Sequence, residues 1–208
     1  MSLEDRQNKI YTSENSQELT DYYKQWAKDY DRELVDDCNY VAPEKVVEVL
    51  SKFVAKNAKI LDAGAGTGLV GQILYDNGYS HLEAMDISAE MLEQANKKNV
   101  YTALYQKVMG EPLGLPAESF DAIVSVGTFT YGHAPSSSFD ELIRITKPGG
   151  YIVFTLRLDF YESSDFKQKM TALEEYGKWK LVEVGDRFSP LSTAKPGGYY
   201  RIWVYQVS

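Results

Sequence analysis

The run Leu61-Asp-Ala-Gly-Ala-Gly-Thr-Gly-Leu-Val-Gly71 carries the strongest chemical signal in this chain. Glycines at 64, 66 and 68 let the backbone turn sharply and lie bare against a ligand. The helix expected next aims its first amides into the same crevice, which suits negative charge. A dinucleotide fingerprint spaces its glycines Gly-x-Gly-x-x-Gly. Here position 69 is Leu and the third glycine stands at 68, which weakens a pyrophosphate reading. Asp86 closes the second apolar run, twenty residues after Gly66. In an α/β sheet a carboxylate so placed can accept both hydroxyls of an adenosine ribose. Asp62 ends the first run beside the glycines, where it would receive an ammonium directly or through the loop amides. Both aspartates also have a plainer use as helix caps, Asp86 standing two residues before Ser88.

A second constellation is Thr128-Phe-Thr-Tyr-Gly-His133. It lies past the fourth apolar run, where ligands of open α/β sheets collect. His133 is the candidate general base, since imidazole is half neutral near pH 6.5; Tyr131 beside it would orient an acceptor. The competing reading is a loop histidine satisfied by backbone. Arg157, after the fifth run, is either an anion binder or half of an ion pair. His81 follows a Gly-Tyr-Ser turn and is read as surface.

The elements needed to position these groups are legible. Leu19, Tyr22, Tyr23, Trp26, Tyr30 and Leu34 recur every three or four residues, predicting one amphipathic helix with Ser16 as its cap. A second helix opens at Pro43 and buries Val46, Val47, Leu50, Phe53 and Val54. Five short apolar runs then alternate with helical stretches: 59–63, 82–86, 101–105, 120–126 and 151–156. That alternation predicts a parallel sheet covered on both faces. After a helix from Ser164 to Tyr176, two strands (179–184 and 199–207) follow with no helix between them, so they should pair antiparallel. The last of them has large side chains on both faces and needs cover from a helix or another subunit. Lys-Pro-Gly-Gly occurs at 147–150 and 195–198, read as reused turn chemistry.

Length and charge bound the rest. At 208 residues the chain is one domain's worth, against roughly 150 per domain. No apolar run approaches the ~20 residues of a membrane span, and the polar first residues do not read as a signal peptide. One cysteine, Cys38, excludes an intramolecular disulfide and a Cys-clustered metal site,; the expected setting is cytoplasmic, with no metal. Net charge is −8, and residues 1–40 hold ten acids against five bases. A polyanionic duplex would be repelled. The expected partner is a small molecule, with no nucleic acid and no membrane; a protein partner is possible.

Taken in order, Leu-Asp-Ala-Gly-Ala-Gly-Thr-Gly, Met85-Asp-Ile-Ser-Ala-Glu-Met-Leu92, Phe120-Asp-Ala-Ile-Val-Ser and Lys147-Pro-Gly-Gly150 resemble the successive motifs of class I S-adenosylmethionine-dependent methyltransferases. Tyr23-Lys-Gln-Trp-Ala-Lys-Asp-Tyr-Asp31 and Gly127-Thr-Phe-Thr-Tyr-Gly-His133 resemble the methyltransferase-like proteins named after the Williams–Beuren syndrome region, which usually have Tyr-Asp where this chain has Tyr23-Lys24. The resemblance implies a Rossmann-like, doubly wound, seven-stranded, mostly parallel α/β sheet with an antiparallel C-terminal edge. It implies a helical lid over residues 1–40 on a methyltransferase domain over 41–208.

The cofactor implied is S-adenosyl-L-methionine, with S-adenosyl-L-homocysteine as product. Asp62, Gly64, Ala65, Gly66, Thr67 and Gly68 would hold its methionine end. Asp86 would hold the ribose, with Ile87 and Met91 beside the adenine. Lys107 and Val108 would close the adenine pocket, where the family often has an acid. Val126 and Gly127 would lie under the methyl group, and Tyr30 and Trp26 would fold over the methionine, their aromatic faces attracting the sulfonium. An aromatic stripe at helical spacing is equally a packing surface. Methylases of exocyclic amines carry Asn/Asp-Pro-Pro-Tyr after the fourth strand; this chain has Gly-Thr-Phe-Thr there, which points to a small molecule or a protein side chain. A cofactor-binding module without catalysis, working through a partner, stays open as the other reading.

Overall fold

The computed structural model describes residues 16–36, 39–191 and 198–208. The expected positions Cys38 and Lys195 to Gly197, and the side chains of Ser16 and Leu19, lie outside the described residues. After α1 (Ser16–Trp26) and a π-turn at Arg32–Asp36 the order is α2 (Ala42–Leu50), β1 (Lys59–Ala63), α3 (Leu69–Asp76), β2 (His81–Asp86), α4 (Ala89–Lys97) and β3 (Ala103–Gln106). It continues with β4 (Phe120–Phe129), α5 (Ser138–Ile145), β5 (Thr146–Arg157), α6 (Leu158–Ser163), α7 (Phe166–Glu175), β6 (Trp179–Val184) and β7 (Tyr200–Val207).

The seven strands form one sheet in the order β3-β2-β1-β4-β5-β7-β6. β1 pairs in parallel with β2 and with β4, and β4 in parallel with β5. The order reverses at β1, so the carboxyl ends of β1 and β4 flank the crevice where such sheets bind ligands. β7 runs antiparallel to both β5 and β6. It sits inside the sheet rather than at its rim, and this explains its large side chains. Trp203, Tyr205 and Val207 enter the core cluster with Phe139, Phe154 and Phe166. Ile202 and Val204 enter the opposite cluster with Val46, Leu50 and Leu74. The cover is supplied by the chain's own helices.

Two expectations need correcting. The aromatic stripe does not form one helix: α1 ends at Trp26, residues 27–29 turn, and the π-turn follows. Tertiary contacts override the periodicity. The Trp26 indole N–H donates to Glu33 (2.7 Å), its ring meets Tyr30 edge-on (4.5 Å), and Asp31 is drawn down by Lys98 (2.5 Å) and by the Thr67 hydroxyl. Trp26, Leu34 and Leu191 then form a small cluster of their own, with Tyr22, Tyr23, Tyr30 and Tyr40 packed against it. Second, Tyr101 precedes β3 rather than opening it.

Tyr101 lies across the start of α3. Its hydroxyl accepts from the Gly71 amide (3.1 Å), and a Cβ at Gly71 would stand 2.1 Å from the ring. Interiors are packed too tightly to absorb that overlap. Gly71→Ala should therefore lower unfolding free energy by about 1–3 kcal/mol, read from the urea midpoint; an unchanged midpoint would show that Tyr101 swings aside freely.

Candidate active site

Three carboxyl ends and the N-terminal segment enclose a cleft of about 140 Å3. Its floor begins with the glycine turn. Gly64 has φ +78°, and a Cβ there would meet Thr128 Oγ1 at 2.5 Å, so neither the backbone angle nor the space admits a side chain. Gly64 and Gly66 line the cleft, while Ala65 and Thr67 line a smaller neighbouring recess. Gly68 stands at the start of α3 and lines none of the described cavities. The Thr67 hydroxyl is bound to Asp31, so that residue offers only its backbone to a ligand.

Asp86, at the tip of β2, is held from two sides. Oδ2 accepts from the Gly66 amide (2.8 Å) and Oδ1 from the Ser88 amide (2.9 Å). The cap of α4 is Ser88, whose Oγ accepts from Met91 N. Asp86 thus ties the glycine turn to the helix entry without being the cap, and burial raises its pKa against the pull of these amides. An ionised carboxylate has about four lone-pair positions, so two remain for further donors. Ile87, Met91, Lys107 and Val108 line the cleft beside it. The Lys107 amide donates to the Asp86 carbonyl (3.0 Å), which fixes that wall.

Asp62 is 2% exposed and lies behind the turn, lining none of the described cavities. Its Oδ2 accepts from the Tyr101 hydroxyl at 2.5 Å, while Oδ1 is buried without a hydrogen bond. Burial, with the neighbouring Asp86 charge, pushes its pKa up to about 7 despite the Tyr101 bond. Tyr101 is a site residue that strand periodicity does not find; the only trace of it in sequence is the extra glycine at 71.

On the other side stand Val126, Gly127 and His133. The His133 Nδ1 is 2.8 Å from the Tyr131 carbonyl, which can only accept, so Nδ1 carries the hydrogen,. Nε2 is therefore the lone-pair nitrogen and accepts from the Tyr23 hydroxyl at 2.8 Å. Burial lowers the His133 pKa and keeps the ring neutral. The side chain of Tyr131 turns away, its hydroxyl against Ser163 (3.2 Å) and its ring against Phe160 and the Arg157 guanidinium. Tyr23, a member of the aromatic stripe, takes the place beside the histidine. Arg157 is committed to Asp159 through two bonds of 2.7 and 2.9 Å. His81 is exposed, as expected.

The N-terminal segment closes the cleft from above. Tyr30 and Tyr23 line it, while Trp26 lines an adjoining cavity. Lys24, where the resembling proteins have an acid, forms an ion pair with Glu90 of α4 at 2.8 Å. With Asp31–Lys98 and Tyr23–His133, that pair fastens the segment to both rims.

A sheet of this order, with a glycine turn after β1 and a carboxylate at the tip of β2, defines the class I methyltransferase fold, and the chain belongs to the class I S-adenosylmethionine-dependent methyltransferases. Residues 61–154 match the family described as "Methyltransferase domain". The chain is similar to human methyltransferase-like protein 27, 36% identical over 167 residues that cover 76% of this chain and 67% of the relative. It is similar to the malonyl-[acyl-carrier protein] O-methyltransferase of Marinomonas, 33% identical over 64% of this chain and 52% of the relative. It therefore spans between half and about two thirds of these two relatives' lengths. An 18S rRNA (guanine-N(7))-methyltransferase of Arabidopsis thaliana is 29% identical over 51% of this chain and 41% of that protein. A TehB-like methyltransferase structure from Corynebacterium glutamicum superposes with a TM-score of 0.68 over 90% of this chain and 99% of that one, at 18% identity. Family and fold together imply S-adenosylmethionine. Among the described residues no helix is long and apolar enough to cross a membrane, and no cluster of His, Cys, Asp and Glu could hold a metal.

The raised Asp62 pKa has a stability consequence. Between the unfolded value of 3.8 and about 7, the folded protein keeps a proton that the unfolded chain releases, so stability falls as pH rises through that window and is level above it. Asp62→Asn should abolish this loss. The variant should be as stable as wild type near pH 4 and more stable near pH 8, by at most about 4 kcal/mol at 1.36 kcal/mol per unit. Parallel pH profiles of unfolding free energy for the two proteins would show the Asp62 proton to be irrelevant.

Proposed function

We propose that the cleft binds S-adenosylmethionine and that the protein transfers its methyl group to a small-molecule acceptor. One observation carries this reading: an Asp86 carboxylate pinned by two amides on one wall faces a neutral His133, with its acceptor nitrogen bonded to Tyr23, across the same cleft. The residues present fit the cofactor. Asp86 has lone pairs for two ribose hydroxyls, and Ile87, Met91 and Val108 supply apolar flanks for the adenine, with Lys107 beside them. The bare backbone of the turn, Asp62 to Gly68, receives the amino-acid end, with Asp62 acting through Tyr101 and the loop rather than by contact. Val126 and Gly127 floor the reacting end, and Tyr30 covers it.

Bound there, S-adenosylmethionine supplies a methyl group on a positively charged sulfur that leaves as a neutral thioether. The chain's part is to align the acceptor and exclude water, and positioning of this kind is worth ~7–11 kcal/mol. Residues 1–40 serve as the lid of a domain over 41–208; Tyr23, Trp26 and Tyr30 bring aromatic faces, which attract cations. His133 takes the acceptor's proton, which helps only if the acceptor begins protonated. The Tyr23 phenol, rather than Tyr131, stands between base and acceptor. The net charge of −8 supports a non-nucleic-acid acceptor, and the single cysteine supports a cytoplasmic setting.

Asp86→Ala removes two charge-assisted hydrogen bonds, each worth ~1.5–3 kcal/mol. Calorimetry with S-adenosylhomocysteine should show affinity falling by about 100-fold or more; retained affinity would move the ribose elsewhere. Tyr23→Phe and His133→Ala should leave that affinity within about threefold while kcat on an identified substrate drops ~100-fold or more. An unchanged kcat in both would remove the proton path.

A further inference from the structure

A second cavity, of about 80 Å3, opens beside the cleft and shares Tyr23, Tyr30, Gly127 and His133 with it. Leu34, Thr130 just past β4 and Thr155 of β5 line it as well, and further walls come from three separate parts of the chain. Trp26 descends from α1, Tyr40 leads into α2 and Ala42 opens it, and Leu191 lies in the connection between β6 and β7 with Tyr200 opening β7. Val41 N–H bonds the Pro190 carbonyl (3.0 Å), which joins the second and last of these walls. Gly127, with φ +74°, floors both cavities, and a Cβ there would stand 2.9 Å from the Tyr40 hydroxyl. A side chain at Gly127 would press on Tyr40 at the boundary that the two cavities share.

The chemistry of the walls is one-sided. Among the described residues lining this cavity there is no Lys, Arg, Asp or Glu. The nearest sequence candidate for an anion binder, Arg157, is occupied by Asp159. The Trp26 indole N–H is spent on Glu33. Taking a charge out of water without a partner is costly, so a carboxylate or ammonium acceptor would be poorly received. The aromatic walls of Tyr23, Trp26, Tyr30, Tyr40 and Tyr200 favour a flat, polarisable guest,. At about 80 Å3 the space is below the ~150 Å3 that encloses benzene, so a single ring seats part of its body there and leaves the rest at the mouth, beside Tyr23 and His133.

We infer that this cavity is the acceptor subsite and that it takes an uncharged, single-ring aromatic compound bearing a hydroxyl. The assignment rests on the methyltransferase reading above and narrows its acceptor. The acceptor hydroxyl donates to the Tyr23 oxygen, whose own hydrogen points to His133 Nε2. As an acceptor oxygen lone pair forms the bond to the methyl carbon, the carbon–sulfur pair goes to sulfur. The hydroxyl proton passes to Tyr23 and the Tyr23 proton to Nε2, leaving a neutral ether and a protonated imidazole. An acceptor already ionised would need no such chain, whereas a phenol does.

The test uses fluorine NMR of para-fluorophenol and para-fluorobenzoate with the full chain, after calorimetry has established saturation with S-adenosylhomocysteine. para-Fluorophenol should bind at least about tenfold more tightly than para-fluorobenzoate, whose charge would be buried unpaired. Ala42→Leu, which fills the second cavity without touching the first, should weaken para-fluorophenol by about tenfold while homocysteine-product affinity stays as in wild type. Equal binding of the two probes by wild type, tighter benzoate, or no phenol binding to the saturated protein would overturn the subsite while the methyltransferase reading stands. Failure to bind S-adenosylhomocysteine at all would overturn that reading and the subsite with it.

Discussion

A carboxylate pulled from water and clamped by two backbone amides is the constraint around which this molecule is arranged. Asp86 reaches the Gly66 amide on one side and the Ser88 amide on the other, so the turn after β1 and the entry to α4 cannot move independently. Ser88 then caps α4, and the Lys107 amide on the Asp86 carbonyl adds the end of β3. Three strand ends are thereby held in one rigid rim. The polarity of the rim at Asp86 is set at the same point: its carboxylate offers acceptor lone pairs to a hydroxylated ligand,.

The second layer is the N-terminal segment, which reaches this rim through polar bonds at its edges and aromatic rings at its centre. Asp31 with Thr67 and Lys98, Lys24 with Glu90, and Tyr23 with His133 are the fastenings. Two of them are charge pairs at least partly open to water, where solvent screening keeps their contribution small,. The aromatic cluster supplies the apolar burial, and the polar bonds fix its register.

Much of this was legible in the sequence because period and punctuation carry it. The alternation of apolar runs with helices gave the doubly wound sheet, and the glycine spacing and Asp86 gave the rim. What escaped depended on distance in three dimensions. β7 reads as an edge strand until its two-faced apolar pattern is seen to be covered by helices from both halves of the chain. Tyr23 sits on the same helical stripe as residues that only pack, and nothing local distinguishes it; its role comes from His133, 110 residues away. Tyr131, adjacent to that histidine in sequence, contributes its carbonyl and turns its phenol elsewhere. Tyr101 is hidden similarly, its meaning set by Asp62 and by the bare face of Gly71.

The central claim is that Asp86 grips a ribose, and a crystal structure with S-adenosylhomocysteine examines it most directly. Both ribose hydroxyls should lie within about 2.5–3.0 Å of the Asp86 carboxylate oxygens, with the sulfur facing Gly127 and the Tyr23–His133 pair. A nucleoside bound with its ribose away from β2, leaving the Asp86 oxygens to the two amides alone, would contradict the account.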